Sequence, residues 1–402
     1  MAKHLNVTNA LSWVGACDPH LRIFDIVMET EFGTTYNAYV LKGSEKTAVF
    51  ETVKAKFFDT YLENLKTVID PTQIDYIIVN HTEPDHAGSV ARLLELAPLA
   101  TVVGTTQAIR YMAEIINAPF KSFAVKDGEK LSLGDKTIRF IGAPCLHWPD
   151  SMYSYIEEDR TLITCDSFGA HYSDERIFKT ELEPSHEEDY IKAYKYYYDM
   201  IMGPFKPFVL KALAKIETLE IDFICPGHGM ILDRTHITKY INFYKEWSKP
   251  TVRPTPSIVI AYVSAYGYTE KLALAIQEGI LSTSTNCDVL LYDLVTADFD
   301  EVLSEASLTK GLLIGSPTIL ADTLPPVWKL LTSLNPVIHK GIKAGCFGSY
   351  GWSGEATKHI ADRFNQLKFP MPLEPLNIAF NPSENNLQAA FNYGVDFVQS
   401  VL

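Results

Sequence analysis

Asn80-His81-Thr82-Glu83-Pro84-Asp85-His86-Ala87-Gly88 follows directly on the apolar run Asp75-Tyr76-Ile77-Ile78-Val79, so a buried strand empties into a turn that carries four metal-capable side chains. Alternate residues at a strand end point the same way, which lets His81 and Glu83 share one cation while the Pro84 turn swings Asp85 and His86 toward a second. Any one of these residues reads equally well as part of a solvated polar loop. All four at this spacing are costly to gather without a cation that offsets their charge.

Three other apolar runs end in the same way. Thr137 to Gly142 opens onto Ala143-Pro144-Cys145-Leu146-His147-Trp148-Pro149-Asp150, Arg160 to Cys165 opens onto Asp166, and Ile221 to Cys225 opens onto Pro226-Gly227-His228. Four strands that present a histidine or carboxylate at their C-terminal ends suggest one site assembled at one sheet edge. Cys145, Cys165 and Cys225 lie close to these residues in sequence and read as small buried side chains, since thiolates would make a softer site.

Length and composition frame the rest. A chain of 402 residues with 47% hydrophobic content can fill two domains, and a net charge of -14 argues against nucleic acid or an anionic membrane as partner. The first residues carry no apolar signal region and no run is long enough to span a bilayer, so a cytoplasmic location is expected. The six cysteines are dispersed with no CxxC pair, which excludes a disulfide scaffold and a fused rubredoxin or zinc ribbon.

Before the first ligand strand, Leu21 to Val27, Thr35 to Leu41 and Lys46 to Glu51 read as antiparallel strands, and Phe58, Leu62, Leu65 and Val68 have helical spacing. A helix over 91–96, a strand over 100–103, a helix over 106–116 and strands near 130–133 and 137–141 follow, which suggests a sandwich of mixed sheets. Ser185-His186-Glu187-Glu188 has capping-box spacing, and Tyr190, Tyr194, Tyr197 and Ile201 behind it read as core, with an electron relay as the other reading.

The HxExDH pattern at 81–86, followed by His147, Asp166 and His228, resembles the metallo-β-lactamase superfamily, whose αββα sandwich holds two metals with HxHxDH. Glu83 replaces the second histidine of that pattern, which is the mark of the flavodiiron proteins. The resemblance implies one iron on His81, Glu83 and His147, a second on Asp85, His86 and His228, and Asp166 between them. A hard oxygen donor in place of imidazole suits iron and its ferric state better than zinc. By the same resemblance His171 is a candidate catalytic residue facing a diatomic pocket beside Phe24, with an ordinary histidine at the surface or behind the ligands as the alternative.

Lys249-Pro250-Thr251-Val252-Arg253-Pro254-Thr255-Pro256 is too rich in proline for a helix or inner strand and sets the expected boundary between domains at 1–250 and 251–402. Beyond it strands and helices alternate strictly, with strands at 257–263, 287–294, 311–315, 343–347 and 376–380, which implies a doubly wound parallel sheet. Three loops at strand ends hold the candidate cofactor residues. They are Ser264-Ala265-Tyr266-Gly267-Tyr268-Thr269, then Ser316-Pro317-Thr318-Ile319, then Gly348-Ser349-Tyr350-Gly351-Trp352 with Gly354. The first offers hydroxyls, amides and a helix N-terminus to one phosphate and lacks the GxGxxG of dinucleotide sites. Together the loops are similar to those of flavodoxin, and that resemblance implies FMN.

The fold expected is therefore an α+β metallo-β-lactamase-like αββα sandwich followed by an α/β flavodoxin-like domain. The resemblance implies an oxidoreductase with FMN and two irons that reduces dioxygen, nitric oxide or both. It would draw electrons from a separate donor such as rubredoxin or a reduced deazaflavin, as a head-to-tail homodimer or a dimer of dimers. A binuclear metallohydrolase with a flavodoxin-like regulatory domain and a non-catalytic electron carrier are the competing readings.

Overall fold

Apolar side chains alternate along Tyr39–Lys42 and Thr47–Phe50 so that Val40 and Val49 face one way while Tyr39, Leu41, Ala48 and Phe50 face the other, and both sets are fully buried. A sheet buried on both faces needs a layer on each side. The computed structural model describes residues 4–250, 253–283 and 286–402, and the chain divides into two compact units, one to Lys249 and one from Pro250. Thr251 and Val252, in the proline-rich stretch that sets the expected boundary, lie outside the described residues.

In the first unit a seven-stranded mixed sheet runs in the order Leu5–Asn6, Leu11–Trp13, Tyr39–Lys42, Thr47–Phe50, Tyr76–Ile78, Thr101–Thr105, Lys121–Val125. A six-stranded sheet runs Lys130–Ser132, Thr137–Gly142, Met152–Ile156, Thr161–Cys165, Phe223–Pro226, Leu232–Asp233. Their inner faces share one core, in which Leu41, Phe50 and Ile78 of the first sheet pack with Phe140, Met152 and Ile163 of the second. Helices Phe58–Lys66 and Thr106–Ile116 cover the outer face of the first sheet through Tyr61, Leu65 and Met112. Helices Glu187–Tyr197, Lys206–Ile216 and Arg234–Trp247 cover the second through Tyr190, Tyr194, Val209, Leu213 and Tyr244. The expected αββα sandwich is present.

Several local expectations change. The strand expected over 21–27 is two two-residue strands, Ile23–Phe24 and Met28–Glu29, that pair with each other. Asp25 and Ile26 turn the chain with φ of 46° and 70°, a left-handed turn made without glycine and so without a sequence signal. The strand expected over 35–41 breaks into Thr34–Tyr36 and Tyr39–Lys42. At the break the Asn37 amide donates to the carbonyls of Pro226 (2.9 Å) and Gly229 (3.0 Å), which ties it to the loop of His228. The capping box expected at Ser185–Glu188 does not form, because Pro184–His186 is a 3-10 turn and the helix starts after His186 with no side-chain cap.

In the second unit five parallel strands run in the order Asp288–Asp293, Ser257–Tyr262, Gly311–Gly315, Lys343–Tyr350, Leu376–Ala379. Ser257–Tyr262 and Gly311–Gly315 are buried at every residue, as a strand covered on both faces must be. Helices Phe299–Leu308, Pro325–Ser333 and Glu355–Gln366 cover one face and Tyr268–Thr283 and Glu384–Val401 the other. The chain reverses its winding at the first strand, and the loops after 262 and 315 flank that switch point. The strand expected over 343–347 runs on to Tyr350, because Phe347–Tyr350 pairs with Leu376–Ala379, so Gly348, Ser349 and Tyr350 are strand residues rather than loop.

Helices Tyr268–Thr283 and Glu384–Val401 approach through reciprocal glycines. A Cβ on Gly279 would lie 2.0 Å from the Phe391 carbonyl oxygen, and one on Gly394 would lie 2.1 Å from that of Ile276. Alanine is the better helix former by up to roughly 1 kcal/mol, yet the backbone oxygen cannot move without parting the helices. Gly394→Ala should therefore destabilise the second unit by roughly 1–3 kcal/mol, read as a lower melting temperature of that unit; an unchanged or raised value would show that the helices separate freely.

Candidate metal centre and mononucleotide loops

The short helix Pro84–Ala87 starts immediately after Glu83 and turns the chain between the two pairs of ligands, so proline at its first position fixes the geometry at no hydrogen-bond cost. His81, Glu83, His147 and Asp166 offer one ligand atom each within 4.8 Å of one another, and so do Asp85, His86 and His228. Glu83 Oε2 lies 3.2 Å from His81 Nε2 and 2.8 Å from His147 Nε2. Asp85 Oδ2 lies 3.0 Å from His228 Nε2 and 3.4 Å from His86 Nε2.

Asp166 joins the groups. Its Oδ2 is 3.5 Å from His81 Nε2 and 3.4 Å from His147 Nε2, while its Oδ1 is 3.0 Å from His86 Nε2 and 3.6 Å from His228 Nε2. One carboxylate thus turns a separate oxygen to each cluster. All seven sequence-predicted ligands are brought together, and Asp85 Oδ1 and Asp166 Oδ2 are buried without a hydrogen-bond donor. That donor set, four imidazoles and three carboxylates, fits two cations of the iron type.

The three loops of the second unit also converge. Thr269 Oγ1 and Ser349 Oγ are 2.9 Å apart, and Thr318 N donates to the Ser349 carbonyl at 2.9 Å. Gly348 passes so close to the 316 loop that a Cβ would meet the Ser316 oxygen at 2.3 Å. Gly267 has φ of 77° just before helix Tyr268–Thr283 begins, and Ser264 Oγ accepts from the Glu270 amide at 3.2 Å. Tyr266 is 80% and Trp352 100% exposed, two large aromatic faces of the kind that a planar ring covers. These residues fit a flavin mononucleotide.

Residues 34–229 match the family described as ODP family beta lactamase, and residues 260–394 match Flavodoxin. The flavo-diiron protein FprA2 of Clostridium acetobutylicum is 41% identical over 96% of this chain and 97% of its own. Our chain is a member of the flavodiiron protein family. The nitric oxide reductase of Moorella thermoacetica is 35% identical over 98% of each chain. The solved rubredoxin oxygen:oxidoreductase of Desulfovibrio gigas is 31% identical, covers 99% of this chain and 98% of its own, and superposes with a TM-score of 0.68.

In this flavodiiron protein the candidate ligands are oriented by residues with little or no mark of that role in the sequence. Asp150 accepts from Thr82 N (2.8 Å) and Thr82 Oγ1 (2.9 Å) and lies 3.3 Å from His81 Nδ1, so it aims His81 Nε2 into the site. His228 Nδ1 donates to the Thr35 carbonyl at 2.6 Å and is aimed in the same way. Tyr197, read from its spacing as core, is buried yet donates to Asp166 Oδ1 at 2.9 Å. Asp150 stands three residues after His147, the only hint the sequence carried; Thr35 acts through its backbone and left none.

His171 is buried, stacks at 4.3 Å on Phe24, and lies 3.0 Å from Thr34 Oγ1 through Nδ1, while Nε2 has no hydrogen-bond partner. A cavity of ≈ 730 Å³ lined by Arg22, Phe32, His171, Lys192 and Tyr196 opens beside it. Cys165 and Cys225 are buried free thiols whose pKa is raised by burial, so they behave as small core residues. Among the described residues no helix is long and apolar enough to cross a membrane.

Burial alone would hold the candidate ligand histidines neutral, but neighbouring carboxylates outweigh it and push His81, His86 and His147 up to about 10. Burial likewise works against the charged forms of Glu83, Asp85 and Asp166, yet the histidines hold all three below the ordinary carboxylate range. The metal-free cluster is thus a proton-filled ion-pair network, and metal must displace those protons. Each of these histidines contributes stability that is complete below its ordinary value of 6.5 and is lost as pH rises through about 10. The metal-free protein should therefore lose thermal stability across that window, while its apparent affinity for ferrous iron rises by up to about tenfold per pH unit for each proton displaced. Melting curves and dialysis titrations at stepped pH check both; flat profiles between pH 6.5 and 9 would contradict them.

Proposed function

We propose that the chain is a flavodiiron oxidoreductase that reduces dioxygen to water, nitric oxide to nitrous oxide, or both, with electrons that arrive at an FMN in the second unit from a separate carrier such as rubredoxin or a reduced deazaflavin. The single observation that carries the reading is the pair of clusters turned on opposite oxygens of Asp166, one of them containing Glu83. His81, Glu83 and His147 would hold one iron, Asp85, His86 and His228 the other, and Asp166 would bridge them. When bound, the two irons supply one electron each to a diatomic oxidant, and the flavin restores them.

The protein's own part is to hold, orient and exclude. Three carboxylates offset much of the charge of two ferrous ions in a buried site, and Asp150 and the Thr35 carbonyl fix the tautomers of His81 and His228. His171 has its pKa drawn well below the ordinary value, mainly by burial and next by His228, so it stands neutral, a poor base whose Nε2 is open to accept a hydrogen bond. In the second unit Thr269, Ser316 and Ser349 would hold the mononucleotide, and Tyr266 and Trp352 would lie against its ring.

Purified protein should contain two irons and one FMN per chain. Replacing Glu83 by His should turn the first cluster toward zinc and abolish reduction of both diatomics while the FMN content, set by the other unit, is unchanged. Two zincs with hydrolase activity in the unaltered protein, or full turnover in Glu83→His, would reject the redox reading.

The working assembly proposed is a head-to-tail homodimer, or a dimer of dimers, in which each metal centre takes electrons from the partner's flavin. A chain disabled at the metal site by Asp166→Ala, mixed with one disabled at the flavin loops by Gly267→Ala and Thr269→Ala, should regain activity as one working pair forms in each mixed dimer. A silent mixture of folded, heterodimeric chains would show that transfer stays within one chain.

A further inference from the structure

Three histidines are fully buried at the centre, and His86 differs from the other two. His81 Nδ1 faces Asp150 and His228 Nδ1 faces the Thr35 carbonyl, but His86 Nδ1 is buried with no partner. Its Nε2 already faces Asp85 and Asp166, so the ring can ligate only through that atom. Beside the ring stands Glu51, a buried carboxylate at the end of strand Thr47–Phe50. Glu51 Oε1 accepts from the Asn80 amide at 2.8 Å, while Oε2 is buried with no partner. Glu51 and His86 each offer a polar atom within a group, completed by Cys165, whose members lie within 4.8 Å of one another.

The backbone around this pair is unusually committed. Glu51 has φ of 57°, a left-handed conformation costly for a non-glycine residue, and is held there by its amide bond to Ile78 O at 2.9 Å. The next residue, Thr52, donates through both N (2.8 Å) and Oγ1 (2.5 Å) to the His86 carbonyl, so the Glu51 turn and the His86 backbone move as one piece. Opposite, Gly227 leaves room for the ring, since a Cβ there would meet His86 Cε1 at 2.6 Å.

We propose that Glu51 is the positioning residue for His86. Its free oxygen accepts a hydrogen bond from the Nδ1–H, directly or through one water, and so fixes the tautomer that presents the Nε2 lone pair to the second metal. The inference rests on the two-iron reading above and adds a residue to it. Glutamine at this position keeps the acceptor for the Asn80 amide but offers His86 an N–H, which favours the opposite tautomer and puts a proton on the ligating nitrogen.

The test is an anaerobic ferrous iron titration of metal-free full-length protein, read as iron bound per chain, with circular dichroism to confirm folding. Unaltered protein should bind two irons. Glu51→Gln should hold the first and bind the second about 10- to 100-fold more weakly, His86→Ala should lose the second, and Glu51→Gln should add nothing in the His86→Ala background. A titration of Glu51→Gln that superposes on the unaltered protein overturns the proposal. So does an effect of Glu51→Gln on first-iron binding that persists at full size without His86, since that marks a merely structural role. Should Glu51→Gln not fold, Glu51→Asp, one methylene short of the ring, is read in the same way. Fewer than two irons on the unaltered protein would overturn the two-iron reading itself, and this proposal with it.

Discussion

Asp166 cannot be satisfied by neutral protein groups alone. It is buried at the end of a fully buried strand, one oxygen facing His81 and His147, the other facing His86 and His228, and among the described residues only Tyr197 supplies a neutral donor. A carboxylate in that position is tolerable only with compensating positive charge, either as protons on the imidazoles or as metal in their place. Both clusters, the orienting residues behind them and the turn at Pro84 are arranged about that requirement. The two sheets in turn supply four strand ends at one edge, which is the least strained way to bring side chains from residues 81 to 228 to one point.

The rigidity of the site follows from what stands behind the ligands. His81, His228 and Asp166 are aimed by Asp150, a backbone carbonyl and a tyrosine hydroxyl, each itself held by packing against a sheet or helix. Ligand identity decides which metal is suitable, and these outer partners decide how little the site must reorganise to take it. The flavin loops follow the same logic, with contacts from Thr269 and Thr318 to Ser349 knitting three strand ends into one cradle.

How much of the fold and the site is legible in the sequence depends on the kind of signal. Strand ends that deliver His81, His147, Asp166 and His228 were legible because a buried strand must be apolar and a ligand at its end breaks that run. The alternation of the second unit was legible for the same reason, and the helix at Thr106–Ile116 falls where its spacing placed it. The hairpin at Ile23–Glu29 was not, since Asp25 and Ile26 turn without glycine or proline. Neither was the fully buried strand Met152–Ile156, where Tyr153, Ser154 and Tyr155 conceal the apolar run that would mark it. Tyr197 shows a further limit, because helical spacing correctly places it in the core and says nothing of the hydroxyl that reaches Asp166. Asp150 and Glu51 are parted from their histidines by 69 and 35 residues in sequence (150 − 81; 86 − 51), and only the fold joins them.

The glycine-mediated crossing of Tyr268–Thr283 with Glu384–Val401 bears on the order in which the molecule matures. The first of these helices follows the first strand of its sheet to be made, while the second is made after every strand of that sheet has been translated. Until it docks, the face of Gly311–Gly315 and Lys343–Tyr350 against which Tyr393 and Phe397 pack stays open to water. The unit that ends at Lys249 has all its strands and helices long before that moment. On the ribosome, then, the metal-ligating half can close first and the mononucleotide half last, so that a chain stalled late in synthesis would be a folded metal-ligating unit joined to an unfinished, sticky sheet.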